Sequence, residues 1–226
     1  QDAGELSGYY SRWIRRDVHY ADGHGNESRR IYDVRYAGRR RQLDWDVEVM
    51  AQRGTLGAEP VRAWALGAHV GYTPDTAWTA RWGLQFDAAS GDRHSGDGQL
   101  NTFNPLFPNG SYFTLGGYTG YSNLIHVKPS LVLHLAPGWS LMLGWGLQWR
   151  QTAGDGVYLQ SGAVVSGTAG LRDRWTGMYG QGRVDWTVSR NLSLAVEAVH
   201  FKVGKAVREA GGRDGNYLGV EARLAW

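Results

Sequence analysis

The chain has 226 residues, among them 24 Lys and Arg, 21 Asp and Glu, 11 Trp, 12 Tyr, 33 Gly and no Cys. The lack of cysteine excludes a disulfide scaffold and a thiolate metal site, and the interleaved charges lack the clustered basic patches typical of nucleic-acid binding. The first residues, Gln1 to Gly4, show no signal peptide, so we expect a mature chain or a fragment.

Ten segments in which apolar and polar residues alternate follow one another along the chain. Successive side chains of a strand point to opposite faces, so this two-residue period predicts β-strands. In the first of them Arg12, Arg15 and Arg16 fall on both faces, and we expect a β-bulge to resolve this. The predicted strands cover about residues 5–20, 29–38, 42–53, 61–72, 77–89, 120–136, 139–151, 175–189, 192–204 and 215–226.

The two faces of each predicted strand differ in character. In the third strand Val47 and Val49 alternate with Asp46 and Glu48, and the last strand ends on Trp226. A final apolar strand that stops on an aromatic residue is typical of outer-membrane barrels, because that strand closes the cylinder. The pattern therefore predicts one face for lipid and one for water.

The predicted connections alternate in length, as they do in transmembrane barrels. Short turns are expected near residues 38–41, 73–76, 136–138 and 189–191, and longer loops at 21–28, 54–60, 90–119, 152–174 and 205–214. Outward aromatic residues near the strand ends are expected to form interfacial girdles. They are Trp45, Tyr72, Trp78 and Trp139 at one end, and Trp64, Trp149 and Trp175 at the other.

These features predict an all-β fold, an antiparallel transmembrane up-and-down β-barrel of about ten strands that forms a single domain over residues 1–226. Backbone groups in lipid must be paired internally, which a closed sheet achieves. The alternative is a soluble β-sandwich, which predicts loops of similar length at both ends.

Several loop motifs resemble the alginate export family of outer-membrane barrels. They are Ser90-Gly91-Asp92, the run from Thr102 to Pro108, Tyr121 to Leu124, Trp149-Arg150, Asp155 to Tyr158 and His200-Phe201. The resemblance implies a diffusion channel of the bacterial outer membrane that exports an anionic polysaccharide such as alginate through an arginine-rich constriction. Family members are about twice as long, with about 18 strands, so the chain is either a fragment or a shortened barrel. A barrel of ten strands is close to the size that side chains fill.

The inward positions carry both charge signs and supply the candidate site residues. We expect the substrate path to be lined by the basic residues Arg35, Arg81, Lys128, Arg150, Arg183 and Arg223. The inward acids are Asp44, Asp46, Glu48, Asp87, Asp185, Glu197 and Glu221. In the alternative interpretation these acids pair with the bases and fill the lumen, which describes a non-transporting structural or engineered scaffold.

The loop at residues 90–119 is long enough to have a function of its own. It could narrow the lumen, cap the outer mouth or pack as a surface loop. A calcium site at Asp92, Asp97 and Asn101 is a weaker hypothesis, because the spacing fits no EF-hand.

An outer-membrane hydrolase is the other class of function considered. Its candidate groups are His24, His94 and His200 with Asp22, Asp92 and Asp155, which form no recognisable motif. We therefore predict no enzyme activity, catalytic residue, metal or cofactor. The expected partners are the lipid bilayer and an anionic polysaccharide, with no nucleic acid, and the expected state is a monomer.

Overall fold

The computed structural model describes residues 3–75, 79–106 and 109–225 of the chain. These residues form ten strands and one short helix. They are β1 Ala3–His19, β2 His24–Arg40, β3 Leu43–Leu56, β4 Glu59–Tyr72, β5 Ala80–Ala89, β6 Leu124–Ala136, β7 Trp139–Trp149, β8 Trp175–Thr187, β9 Leu192–Val203, α1 Lys205–Glu209 and β10 Gly215–Leu224.

Each strand pairs antiparallel with the next one along the chain, in a single sheet ordered from β1 to β10. This arrangement confirms the predicted all-β, up-and-down topology. The register of β1 on β2 shifts between Arg15 and Val18, with Asp17 at a φ of 51°. The bulge expected in the first strand is therefore present, and Arg15 faces the same side as its partner Glu27.

Alternate residues of the strands face two different environments, as the two-residue period predicts. One side, here called the inner face, includes the buried Asp33, Gln52 and Asp87. The opposite, outer face exposes apolar side chains, with Trp82 57% and Val220 77% accessible. Exposed apolar surface on this scale suits a lipid solvent and not an aqueous one.

Aromatic pairs lie at the ends of the outer face. Trp139 stacks on Trp186 at 4.9 Å between ring centroids, and Trp149 lies 5.0 Å from Trp175. Tyr72 is exposed at the same end of the sheet as Trp139. The predictions for Trp78, Phe107 and Trp226 lie outside the described residues.

The two edge strands, β1 and β10, do not pair with each other within the described residues. The ladders run from β1 to β10 without one that joins β10 back to β1 between residues 3 and 225. The expectation that the last strand closes the cylinder is thus not met in this structure. Both edge strands have highly exposed side chains, such as Leu6 and Leu218.

The predictions of two long loops, at residues 21–28 and 54–60, are wrong. The segment 21–28 is mostly strand, because β2 begins at His24, and 54–60 contains only the tight turn between Leu56 and Glu59. The ends of β3 and β4 are buried against apolar residues of a later loop, which stabilises the strands there. Leu56 and Val61 pack against Leu100 of a later loop, which also bridges to Val61.

The remaining long connections are residues 90–123, 150–174 and 204–214. Helix α1 lies in the last of these and was not predicted, since five residues are too few to show a helical period. No helix among the described residues has the length and apolar character needed to cross a membrane.

Candidate functional site

Arg35 lies on the inner face of β2 and binds Asp46 of β3. Its Nε and Nη2 atoms each donate to one carboxylate oxygen at 2.7 Å, which is the bidentate geometry that a planar guanidinium favours. The side chains are 42% and 39% exposed. This ion pair is therefore reachable by a solute.

Arg81 forms a second bidentate pair, with Asp44. The two residues belong to β5 and β3, so the guanidinium crosses the intervening strand β4. It does so over Gly71, where a Cβ atom would meet the guanidinium of Arg81. A glycine at this register position leaves room for the guanidinium.

Arg183 gathers three carboxylates on the inner face. It donates to Asp185 at 2.9 Å, Glu197 at 2.6 Å and Glu221 at 2.9 Å. Arg223 contributes a further bond, at 2.8 Å, to Glu221. The acids of this cluster outnumber its bases, so it is not a free positive surface.

Lys128 and Asp87 hold a loop and face little open solvent. The ammonium of Lys128 donates to the carbonyl oxygens of Tyr112 at 3.3 Å and Phe113 at 3.1 Å. Asp87 accepts from the Tyr112 hydroxyl at 2.7 Å, and its other oxygen lies 2.9 Å from Nδ1 of His126. The Lys128 ammonium and the Asp87 carboxylate therefore both hydrogen-bond the loop at residues 90–123.

Arg150 lies just beyond the end of β7 and is fully buried. Its guanidinium donates to backbone carbonyl oxygens of the 150–174 loop, including those of Asp155 at 2.9 Å and Thr168 at 2.6 Å. It also donates to the carbonyls of Leu171 and Asp173. The structure thus places this predicted path residue in the fold of a loop.

Glu48 faces inward from β3, opposite Arg35 in the register with β2. It lines a cavity of about 230 Å³ together with Tyr9, Tyr112 and Tyr121. This cavity is bounded on one side by the sheet and on the other by the 90–123 loop. The seven acids and six bases predicted from sequence therefore divide between ion pairs, loop anchors and this cavity.

The loop at residues 90–123 packs against the inner face of the sheet. Phe103 packs on Ala63, Ala65 and Ala89 of the sheet. Further along, the backbone N–H of Leu115 donates to the side chain of Gln181 in β8 at 3.0 Å. The loop thus spans from β4 to β8 across the inner side.

Asp155 joins this loop to the 150–174 loop. One of its carboxylate oxygens accepts from the Asp92 backbone N–H at 2.9 Å and the Thr102 hydroxyl at 2.5 Å. The other accepts from the Tyr158 hydroxyl and the Gly156 N–H, both at 2.7 Å. Burial raises the pKa of the Asp155 carboxyl, and these four donors act in the opposite direction.

A second buried network, centred on Arg29, was missed from sequence. Arg29 donates to Glu27 and Gln52, each at 2.6 Å, and to the carbonyl oxygen of Thr102 at 2.8 Å. Its parity with Asp33 and Arg35 already indicated an inward side chain. What sequence could not supply is the loop carbonyl that it binds.

The groups considered for hydrolysis and for calcium have other partners. His24 stacks on His19 at 5.6 Å, and His200 bonds Asn216 at 2.8 Å. The Asp92 carboxylate accepts the backbone N–H groups of His94 and Asn101. Across the described ranges there is no group of three or more His, Cys, Asp or Glu side chains that could hold a metal ion.

A family model described as alginate export matches residues 1–221. The chain belongs to the alginate export family. The protein is accordingly an outer-membrane channel protein with a role in export, and it resides in the lipid bilayer of the bacterial outer membrane. The resemblance predicted from the loop motifs is confirmed.

Among solved structures, the chain is similar to the COG4313 outer membrane channel from Pseudomonas putida F1. The sequence identity is 12% and the TM-score 0.33, with 98% of this chain and 94% of that chain covered. No curated protein matches the chain significantly.

Proposed function

We propose that this protein conducts anionic solutes, and an anionic polysaccharide in particular, along the inner face of its sheet. The observation that carries the proposal is the pair of accessible bidentate sites at Arg35 and Arg81. A guanidinium held in this orientation suits a carboxylate of any origin, including that of a uronate sugar. Membership of the alginate export family supports the same substrate class.

Passage would proceed by exchange of one carboxylate for another. Exposed ion pairs contribute only about 0–1 kcal/mol, so displacing Asp46 from Arg35 or Asp44 from Arg81 costs little. A sugar carboxylate then occupies the guanidinium for a short time and moves on. Weak, successive binding of this kind is what conduction requires.

The test is the reversal potential of single channels in planar bilayers under a salt gradient. We expect the double variant Arg35→Glu, Arg81→Glu to shift selectivity toward cations by about twofold or more, because both exchange sites change sign. The double variant Arg30→Glu, Arg53→Glu is the matched control, since it makes the same charge change on the outer side of β2 and β3. An unchanged anion-to-cation ratio in the double variant would remove the anionic substrate.

The second candidate is a barrel whose interior is filled and which conducts nothing. It is favoured by the cluster in which Arg183 binds three carboxylates and by the loop packed over the inner face. The same bilayer experiment separates the two functions. Absence of conductance steps from correctly folded protein would support the filled scaffold.

We further propose that the protein acts as a monomer and without enzyme activity. Alginate export is a transport function, so no bond of the substrate needs to break. Light scattering of the detergent-solubilised protein, corrected for bound detergent, tests the monomer. A mass of two chains would contradict it.

A further inference from the structure

A second cavity, of about 330 Å³, lies away from Arg35 and Arg81, toward the side of the sheet formed by β8 and β9. It is partly open and is lined by the inner face of these strands, by parts of the two long loops and by helix α1. Its walls are largely apolar. The side chains that form them include Leu124, Val157, Val165, Phe201, Val203 and Val207.

A β-bulge places one hydroxyl group in this apolar wall. The register of β7 on β8 pairs Gln148 with Gly177 and Trp149 with Trp175, which leaves Thr176 without a partner on β7. Gly177 has a φ of 146°, a conformation that other residues rarely adopt. Bulges redirect side chains and are frequent beside functional sites.

The Thr176 hydroxyl has no hydrogen-bond partner among the described residues, although the residue is only 4% exposed. Several other polar groups around the cavity have partners. The side chains of Gln148 and Thr119 bond each other at 2.8 Å, and the Tyr158 hydroxyl donates to Asp155. Buried polar groups are nearly always paired, so an unpaired one facing a cavity indicates a place for a ligand atom.

Arg213 adds a positive charge to the same cavity. It is one of the lining residues, and its side chain is solvent-exposed. An anionic group bound next to the Thr176 hydroxyl would be attracted by this charge. The cavity thus combines an apolar interior with one hydrogen-bonding group and one cation.

We propose that this cavity binds a single-chain alkyl carboxylate, a fatty-acid anion of about eight to ten carbons. A cavity of about 150 Å³ holds benzene, and this one is roughly twice as large, which fits a short alkyl chain. The chain would lie against Phe201 and Val203, and the carboxylate would accept from Thr176. Both apolar residues face inward, so the ligand arrives from the aqueous side and not from the bilayer.

The experiment uses the full chain in lipid nanodiscs, titrated with sodium octanoate below its own micelle concentration. Carbon-13 NMR of carboxyl-labelled octanoate reports binding, and thermal unfolding reports stability. We expect saturable binding and a rise in the unfolding temperature with ligand. Absence of saturable binding would overturn the proposal.

Two variants locate the ligand. Val203→Trp should abolish binding by filling the cavity. Thr176→Val should weaken it about fivefold or more, while the ligand-free protein stays as stable or becomes more so, because an unpaired hydroxyl is removed. Thr187→Val, an exposed position on the same strand, is the matched control. Unchanged affinity in both cavity variants would show that octanoate binds elsewhere.

The head group is tested with 1-octanol, which has the same chain and no carboxylate. We expect it to bind at least about fivefold more weakly than octanoate, and Arg213→Gln to reduce this difference. Equal affinities for the two ligands would overturn the assignment of a carboxylate. None of these measurements depends on ion conductance, so they can fail or succeed independently of the proposed channel.

Discussion

At the scale of single residues, five arginines of this protein fall into two groups with different partners. Arg35, Arg81 and Arg183 bind side-chain carboxylates on the inner face and remain partly exposed. Arg29 and Arg150 are fully buried and also bind backbone carbonyls of the loops. Only the first group can meet a solute, so the second stabilises the structure through which the solute would pass.

We predict that Arg150→Lys destabilises the protein by about 2–3 kcal/mol. A lysine keeps the charge but cannot reach several carbonyls in one plane, so buried acceptors such as those of Asp155 and Thr168 lose donors. Denaturant unfolding in detergent measures the loss. Arg190→Lys, an exposed turn position, is the control, and equal stability of the two variants would contradict the prediction.

Asp155 joins the two longest loops by hydrogen bonds. We predict that Asp155→Ala lowers stability by about 3 kcal/mol and frees the loops, because four buried donors lose their acceptor. Hydrogen exchange should rise in residues 90–104 and 150–170. The control, Asp97→Ala, removes an exposed carboxylate that accepts one N–H in the same loop. Unchanged hydrogen exchange in Asp155→Ala would show that the Asp155 carboxylate does not hold the two loops together.

At the scale of elements, the loop at residues 90–123 covers part of the inner face. It fills part of the inner side through Phe103, Tyr112 and Phe113, and Lys128 holds it to β6. The strands supply the ion pairs, and the loop determines how much space remains beside them. A channel that uses this face is therefore narrowed by the loop.

We predict that replacing residues 109–117 with a flexible Gly-Ser segment raises single-channel conductance at least about twofold. The change removes the aromatic residues that lie over the inner face while it keeps the strand register. Replacing the exposed residues 94–98 in the same way is the control. Equal conductance in both variants would mean that the loop does not narrow the path.

At the scale of the whole molecule, β1 and β10 are the two edge strands, and within the described residues each pairs with a neighbour on one side only. A bilayer offers no water to the N–H and C=O groups of β1 and β10, and each unpaired group there costs several kcal/mol. The exposed apolar residues on both edge strands, such as Ile14 and Leu224, point to the same lipid environment. We therefore expect the edges to be paired in the membrane.

Cysteine cross-linking tests this expectation, since the chain has no native cysteine. We predict that one of the double variants Leu6→Cys, Ala222→Cys and Tyr10→Cys, Leu218→Cys forms an intramolecular disulfide in liposomes. Electrophoresis without reductant separates the outcomes, and the single-cysteine variants are controls. Cross-links only between chains would show pairing with a second copy. No cross-link at all would contradict closure of the sheet on itself.

The amino-acid sequence was enough to predict the number of strands, their order and, for most of them, which side chains share a face, because a strand has a fixed period of two and its two faces meet lipid and water. It also carried the family resemblance through motifs such as Asp155 to Tyr158. It did not reveal that Arg150 binds carbonyls, that Lys128 anchors a loop or that Arg29 lies in a buried network. Those contacts join residues far apart in the chain, and only the packing of the loops on the inner face decides them. Closure of the sheet belongs to the same class, since it depends on what β1 and β10 meet in space.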